Sequence, residues 1–213
     1  KDHRQIKEVR MYIPKRFKVD DEKEIWSFLK QHTFATLVTT DKGRPVATHI
    51  PVMVKREGEE IVVSGHLAYG NRQWRTLNEE QESLIIFQGP HSYISSSWYE
   101  EQQVPTWNYQ SVHVYGNVSI QTQEELIADL KTLLHVYEHH RQHPVLWETL
   151  SPELLERELK GIVGFKLTVT DIQAAYKMSQ NRNDRDYANI ITQLYQETSP
   201  EAHQVAQEMK KLR

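Results

Sequence analysis

Two stretches combine residue types whose spacing suits a small-molecule site: Gly65-His66-Leu67-Ala68-Tyr69-Gly70-Asn71 and Val104-Pro105-Thr106-Trp107-Asn108-Tyr109. The first follows a β-branched run that reads as a strand, and a helical patch is predicted from about residue 71 to residue 80. A helix entry presents unpaired backbone N–H groups and partial positive charge, to which Asn71, Arg72 and Arg75 add donors and cations. These are the requirements of a phosphate. The same residues equally make a plain turn, with Gly70 and Asn71 capping the helix and the arginines in solvent. In the second stretch Trp107 and Tyr109 flank the amide of Asn108 behind a stiffening proline. That arrangement suits stacking on a planar heteroaromatic ring, or else a packed loop or a contact between copies. Tyr93, Ser95, Ser96, Trp98 and Tyr99 repeat the mixture of aromatics and hydroxyls upstream.

Two further groups carry weaker signals. His135, His139, His140 and His143 follow one another on a predicted helix, and the four-residue spacing of His135 and His139 would let both reach one metal ion. No carboxylate is spaced to complete such a site, so a solvated helix face is the expectation and no metal is assigned. Ser179-Gln180-Asn181-Arg182 precede a terminal helix, where they serve as cap and turn or, through Arg182, reach an anion. No Gly-rich phosphate loop, G-x-S-x-G elbow or HExxH pair occurs, which removes the common hydrolase and nucleotidase signatures.

The elements that must hold these groups are mostly strands. Residues 34–40, 45–54, 61–66, 84–88, 111–121 and 161–170 are rich in β-branched residues and separated by turn residues, and residues 93–99 are strand-like but serine-rich, as in a small antiparallel barrel. Val112, Val114, Gly116 and Val118 alternate along one strand, and Val163, Phe165, Leu167 and Val169 along another. Helical spacing is predicted around Ile25 to His32, over residues 124–140, after Ser151-Pro152, over residues 183–196 and after Ser199-Pro200. The last two are each only half apolar and need a surface to lie on, the barrel or a second subunit. The resulting division is a leader at residues 1–10, a barrel with inserted helices at residues 11–180 and a helical extension at residues 181–213. Met11 opens the ordered pattern and reads as the natural start.

Composition sets outer limits. With 38% apolar and 26% charged residues the chain is expected to fold, and the absence of cysteine excludes disulfides and thiolate chemistry and favours a reducing compartment, the cytoplasm. A net charge of −3 offers no bulk attraction for nucleic acid, and no apolar stretch has the length to span a bilayer.

Taken in order, several motifs resemble the PaiB family. They are Met11-Tyr12-Ile13-Pro14; Gly65-His66-Leu67-Ala68 with Asn71, Gln73 and Trp74; Gly89-Pro90 with Tyr93-Ile94-Ser95 and Trp98-Tyr99; Val104 to Tyr109 with His113 and Gly116; and Lys177 to Arg182. The sequence departs from the family pattern at Tyr69 and Gly70, where Arg and Ala are usual, and at Arg72, where Pro is usual. The resemblance implies a mainly β fold, a split barrel of the FMN-binding type with flanking helices. It also implies a homodimer with flavin at the subunit interface and a role as an FMN-binding negative regulator of transcription, resembling repressors of protease production and sporulation, with promoter DNA as a partner. On that footing Asn71 and Arg72 take the phosphate of FMN, His66, Leu67 and Ala68 follow the ribityl chain, and Trp107, Asn108 and Tyr109 meet the ring. Trp74 and Arg182 complete the expected set. The alternatives are an FMN-dependent oxidoreductase using NAD(P)H and a split-barrel haem protein, for which eleven histidines are available.

Overall fold

The computed structural model describes residues 10–213; the expected leader falls, except for Arg10, outside them. Six antiparallel strands close into a ring in the order β1-β2-β3-β6-β5-β4. They are β1 (Phe34–Asp41), β2 (Arg44–Glu57), β3 (Glu60–Ala68), β4 (Ser83–Ile94), β5 (Thr106–Ile120) and β6 (Ile162–Lys177). Five α-helices accompany them: α1 (Glu22–Gln31), α2 (Gln123–Glu138), α3 (Pro152–Leu159), α4 (Asp184–Leu194) and α5 (Pro200–Lys211). The mainly β barrel with flanking helices expected from the strand pattern is therefore present. No helix among the described residues is long and apolar enough to cross a membrane.

The ring closes hairpin by hairpin. β1 and β2 meet at Asp41 and Arg44, leaving a two-residue connection in which Lys42 and Gly43 both take positive φ, 48° and 84°. That is the twist a tight hairpin demands, and glycine supplies the larger angle at no steric cost. Pairing of β3 with β6 then sets His66 opposite Gly164 and Gly65 opposite Phe165. A two-residue alternation runs through the strands, so Leu37, Val52, Val54, Leu67, Ile85, Phe87, Val114, Val118 and Leu167 are buried while their neighbours are not, and Val112 and Phe165 are buried beside one further buried residue each, Ser111 and Gly164. The strands extend beyond the predicted runs, most of all β4, β5 and β6.

Local chemistry starts the helices. Thr122 and Glu125 exchange side-chain and backbone bonds as a capping box at the head of α2, Ser151 caps α3 with Pro152 in its first turn, and Asn183 accepts the N–H of Asp186 at 2.8 Å to open α4.

Contacts within the chain gather into two groups. One comprises Glu22–Gln88 and Val112–Ile172; the other takes in residues 10–21, Gly89–Ser111 and Gln173–Arg213. In the second group α4 and α5 bury Tyr187, Ile190, Leu194, Ala202, Val205, Ala206 and Met209, and the Tyr187 hydroxyl donates to the Met209 carbonyl at 2.7 Å. Their apolar stripes thus meet one another. Leu212, just past the end of α5 at Lys211, stays 44% exposed.

Candidate functional site

In the first group, β3 ends at Ala68 and the chain reverses through Tyr69 and Gly70, with the Asn71 N–H donating to the Ala68 carbonyl at 2.9 Å. The predicted helix over residues 71–80 is only a five-residue 3-10 turn, Arg72–Thr76. Its shortness has a visible cause. Gln73 is buried and its amide donates to the Leu37 and Val46 carbonyls and to Thr39 Oγ1, at 3.2, 3.1 and 3.1 Å, while Thr76 Oγ1 donates to Thr39 Oγ1 at 2.7 Å. These bonds tie the turn to β1 and β2 and prevent its continuation as a regular helix. Asn71 is equally committed, accepting from the Gln73 N–H at 3.1 Å and donating to Thr48 Oγ1 at 2.9 Å. The cap reading of Asn71 is therefore realised, and its amide holds the turn.

Around this knot the expected site residues divide by role. Leu67 is buried in the core, whereas Ala68 is exposed. Arg72 is exposed. Trp74 donates from Nε1 to the Tyr69 carbonyl at 2.9 Å, stacks on the Tyr69 ring at 5.6 Å and carries the Arg75 guanidinium 5.4 Å above it. His66 is half-buried, and desolvation pushes its pKa below the usual 6.5. Burial thus favours its neutral form. Close by in sequence, Tyr69 lines a cleft of about 520 Å³ with Ile120, Gln121, Leu126, Leu159 and Gly164. Gln121 Oε1 there is buried without a hydrogen-bond partner among the described residues, in the space that a Cβ on Gly164 would fill.

In the second group, Trp107, Asn108 and Tyr109 belong to β5 rather than to a loop. Strand alternation separates them: Trp107 and Tyr109 share one face, and Asn108 points to the other. Asn108 is fully buried, its amide donating to Ser179 Oγ at 3.0 Å and accepting from the same hydroxyl at 3.1 Å. Trp107 is 48% exposed and donates to His91 Nδ1 at 3.2 Å, which requires the Nε2-protonated tautomer, and Tyr93 meets its ring edge-on at 6.0 Å. An exposed aromatic cluster results. Arg182 stacks its guanidinium 4.1 Å over the Tyr99 ring.

Sequence reasoning assigned no role to Gln73 or His91, since each acts only through residues distant along the chain. The histidine run brings its rings together, with His135 and His139 stacked at 4.8 Å, yet no group of three metal-ligating side chains occurs among the described residues.

Residues 11–171 match the family described as "Putative FMN-binding domain". The chain is 55% identical over 200 residues to the protease synthase and sporulation protein PAI 2 of Bacillus subtilis (strain 168), covering 94% of this chain and 97% of that one. Among solved structures, the flavocytochrome Anf3 from Azotobacter vinelandii is similar with a TM-score of 0.62 at 18% identity, over 84% of this chain and 78% of that one. The FAD and heme binding protein from Mycobacterium smegmatis follows at a TM-score of 0.53 and 16% identity, over 80% and 78%. At such identities the two structures speak to the fold, a flavin-type split barrel. The match over residues 11–171 and the near full-length identity with PAI 2 establish that the chain belongs to the PaiB family.

Proposed function

We propose that this protein binds FMN at the interface of a homodimer in the cytoplasm and acts as a negative regulator of transcription. The observation that carries the reading is the match of residues 11–171 to the FMN-binding domain family. The name of PAI 2, a protease synthase and sporulation protein, supports genes of protease production and sporulation as the targets.

The residues present fit the group. FMN needs a cation for its phosphate, an edge for its ribityl chain and a wall for its ring. Arg72 is an exposed guanidinium on a turn that Asn71 and Gln73 hold rigid, so it takes the phosphate without paying for loop ordering. The backbone of His66, Leu67 and Ala68 follows the ribityl chain, and His66, neutral by burial, hydrogen-bonds there without adding charge. Trp74 buttresses the turn through Tyr69. Trp107 and Tyr109, from the second copy, offer ring faces, and Asn108 fixes their strand from behind through Ser179. Arg182 adds a further anion-seeking group. Bound FMN supplies a redox-active ring; the chain's own residues bind and orient it.

The regulatory half is tested by gel-shift titration of the FMN-loaded protein on protease-gene promoter DNA across salt. Repression by direct contact requires affinity well above that for random DNA of equal length, with equal affinities rejecting it. Bleaching of the bound flavin by NAD(P)H under anaerobic conditions would instead identify an oxidoreductase.

A further inference from the structure

A pocket of about 300 Å³ lies in the group formed by residues 10–21, 89–111 and 173–213. Among the described residues its lining includes the cations Arg16, Lys177 and Arg182 and no carboxylate, in a chain whose net charge is −3. Such a local excess of positive charge is costly to assemble unless an anion offsets it.

The three cations are held unequally. Lys177 Nζ donates to Thr106 Oγ1 at 2.6 Å, which leaves two of its three protons to give. Arg182 lies with its guanidinium on the Tyr99 ring, and its Nε is closed off from solvent with no hydrogen-bond partner among the described residues. Arg16 is exposed beside the pocket.

The segment that delivers Arg182 is strained. Ser179 adopts φ 62°, in the left-handed region that a non-glycine residue rarely enters. The turn is nevertheless fixed at several points. Ser179 Oγ is clamped by Asn108, Gln180 accepts the Met178 N–H at 2.7 Å and donates to the Tyr176 carbonyl at 2.6 Å, and the Arg182 N–H returns to the Ser179 carbonyl at 3.0 Å. The fold thus commits strain and five hydrogen bonds to the turn that carries Arg182.

We propose that this pocket binds a phosphate monoester dianion, gripped by Arg182 and Lys177 with Arg16 at its mouth. Guanidinium matches phosphate oxygens two at a time, and the ammonium and second guanidinium balance the second negative charge. At about 300 Å³ the pocket exceeds a bare phosphate and accommodates the first atoms of an attached organic group. The site does not depend on the flavin reading, because its ligand is defined by the phosphate: a phosphorylated small molecule supplies it, and where that molecule is FMN, Arg182 replaces Arg72 as the holder of its phosphate.

The test titrates the full chain with inorganic phosphate at constant ionic strength and follows thermal unfolding, then repeats the titration with Arg182→Gln, Lys177→Met and, as a control not among the pocket's lining residues, Lys131→Met. A saturable rise in Tm is expected for the parent and the control, with affinity at least tenfold weaker in the two pocket variants. Circular dichroism establishes that each variant is folded, and Arg16→Gln, at an exposed position, repeats the test where the fold is least at risk. A tenfold loss of FMN but not riboflavin affinity in Arg182→Gln assigns the phosphate to the flavin; unchanged FMN affinity with weakened phosphate binding assigns it to a separate ligand. A Tm that does not saturate with phosphate, or that responds equally in all variants, overturns the proposal.

Discussion

Gln73 is the residue on which the candidate site turns. Its side chain joins the 3-10 turn to β1 and β2, so Gln73→Ala would leave the Leu37 and Val46 carbonyls short of a donor and open a small void beneath Asn71 and Arg72. The expected loss is about 2–3 kcal/mol, read as a fall in the urea midpoint at unchanged slope. Gln73→Glu should lose nearly as much, since a carboxylate cannot donate to two carbonyls; a neutral effect would show that the knot does not hold the turn. His66 and His113 make the second residue-scale prediction. Burial pushes both imidazoles below the ordinary 6.5, so below that pH the unfolded chain binds more protons than the folded one. Their contribution is fully present above pH 6.5 and drains away as pH falls. The thermal midpoint should therefore drop on acidification from pH 6.5 toward 5, and His66→Gln with His113→Gln should flatten that part of the profile.

At the scale of elements, strands were legible where burial alternates strictly. Val112, Val114, Gly116 and Val118 are all buried as read, because a two-residue period is imposed locally by the pleat. The same pattern concealed the start of β5. Asn108 breaks the apolar alternation, and the partner that makes its burial tolerable, Ser179, lies 71 residues away. No local signal reports such a bond. The helix expected after Asn71 failed for a related reason: Gln73 and Thr76 are held by residues of β1 and β2, more than 25 positions upstream. Gly116 offers an element-scale test. A Cβ there would collide with the Thr168 carbonyl and the Leu167 side chain, and the backbone oxygen has no rotamer by which to move aside. Gly116→Ala should cost about 3 kcal/mol, the upper part of the range for overpacking, by equilibrium unfolding. In the helical pair, Leu194 is fully buried, and Leu194→Ala should cost about 2–5 kcal/mol.

For the whole molecule, the antiparallel barrel and the family were both within reach of the sequence, the first through periodicity and the second through several motifs in one order, although the strand-like tract at residues 93–99 adds only the end of β4 and then a 3-10 turn at Ser96–Trp98. The site was legible in parts. The turn after β3 and the aromatic segment of β5 were both singled out, yet only the structure separates ring-facing candidates from supports, with Trp107 exposed and Asn108 buried. Dimerisation belongs to this scale: sedimentation equilibrium is expected to give twice the 25.2 kDa chain mass, and a strictly monomeric FMN-loaded protein would remove the proposed second wall of the site. The most direct measurement is an absorbance and fluorescence titration of the purified protein with FMN, in parallel with Arg72→Ala and Trp107→Ala. The account predicts saturable one-to-one binding per chain with micromolar or tighter Kd, about 8 kcal/mol, weakened at least tenfold by each substitution. No saturable binding of FMN, or binding untouched by either change, would contradict it.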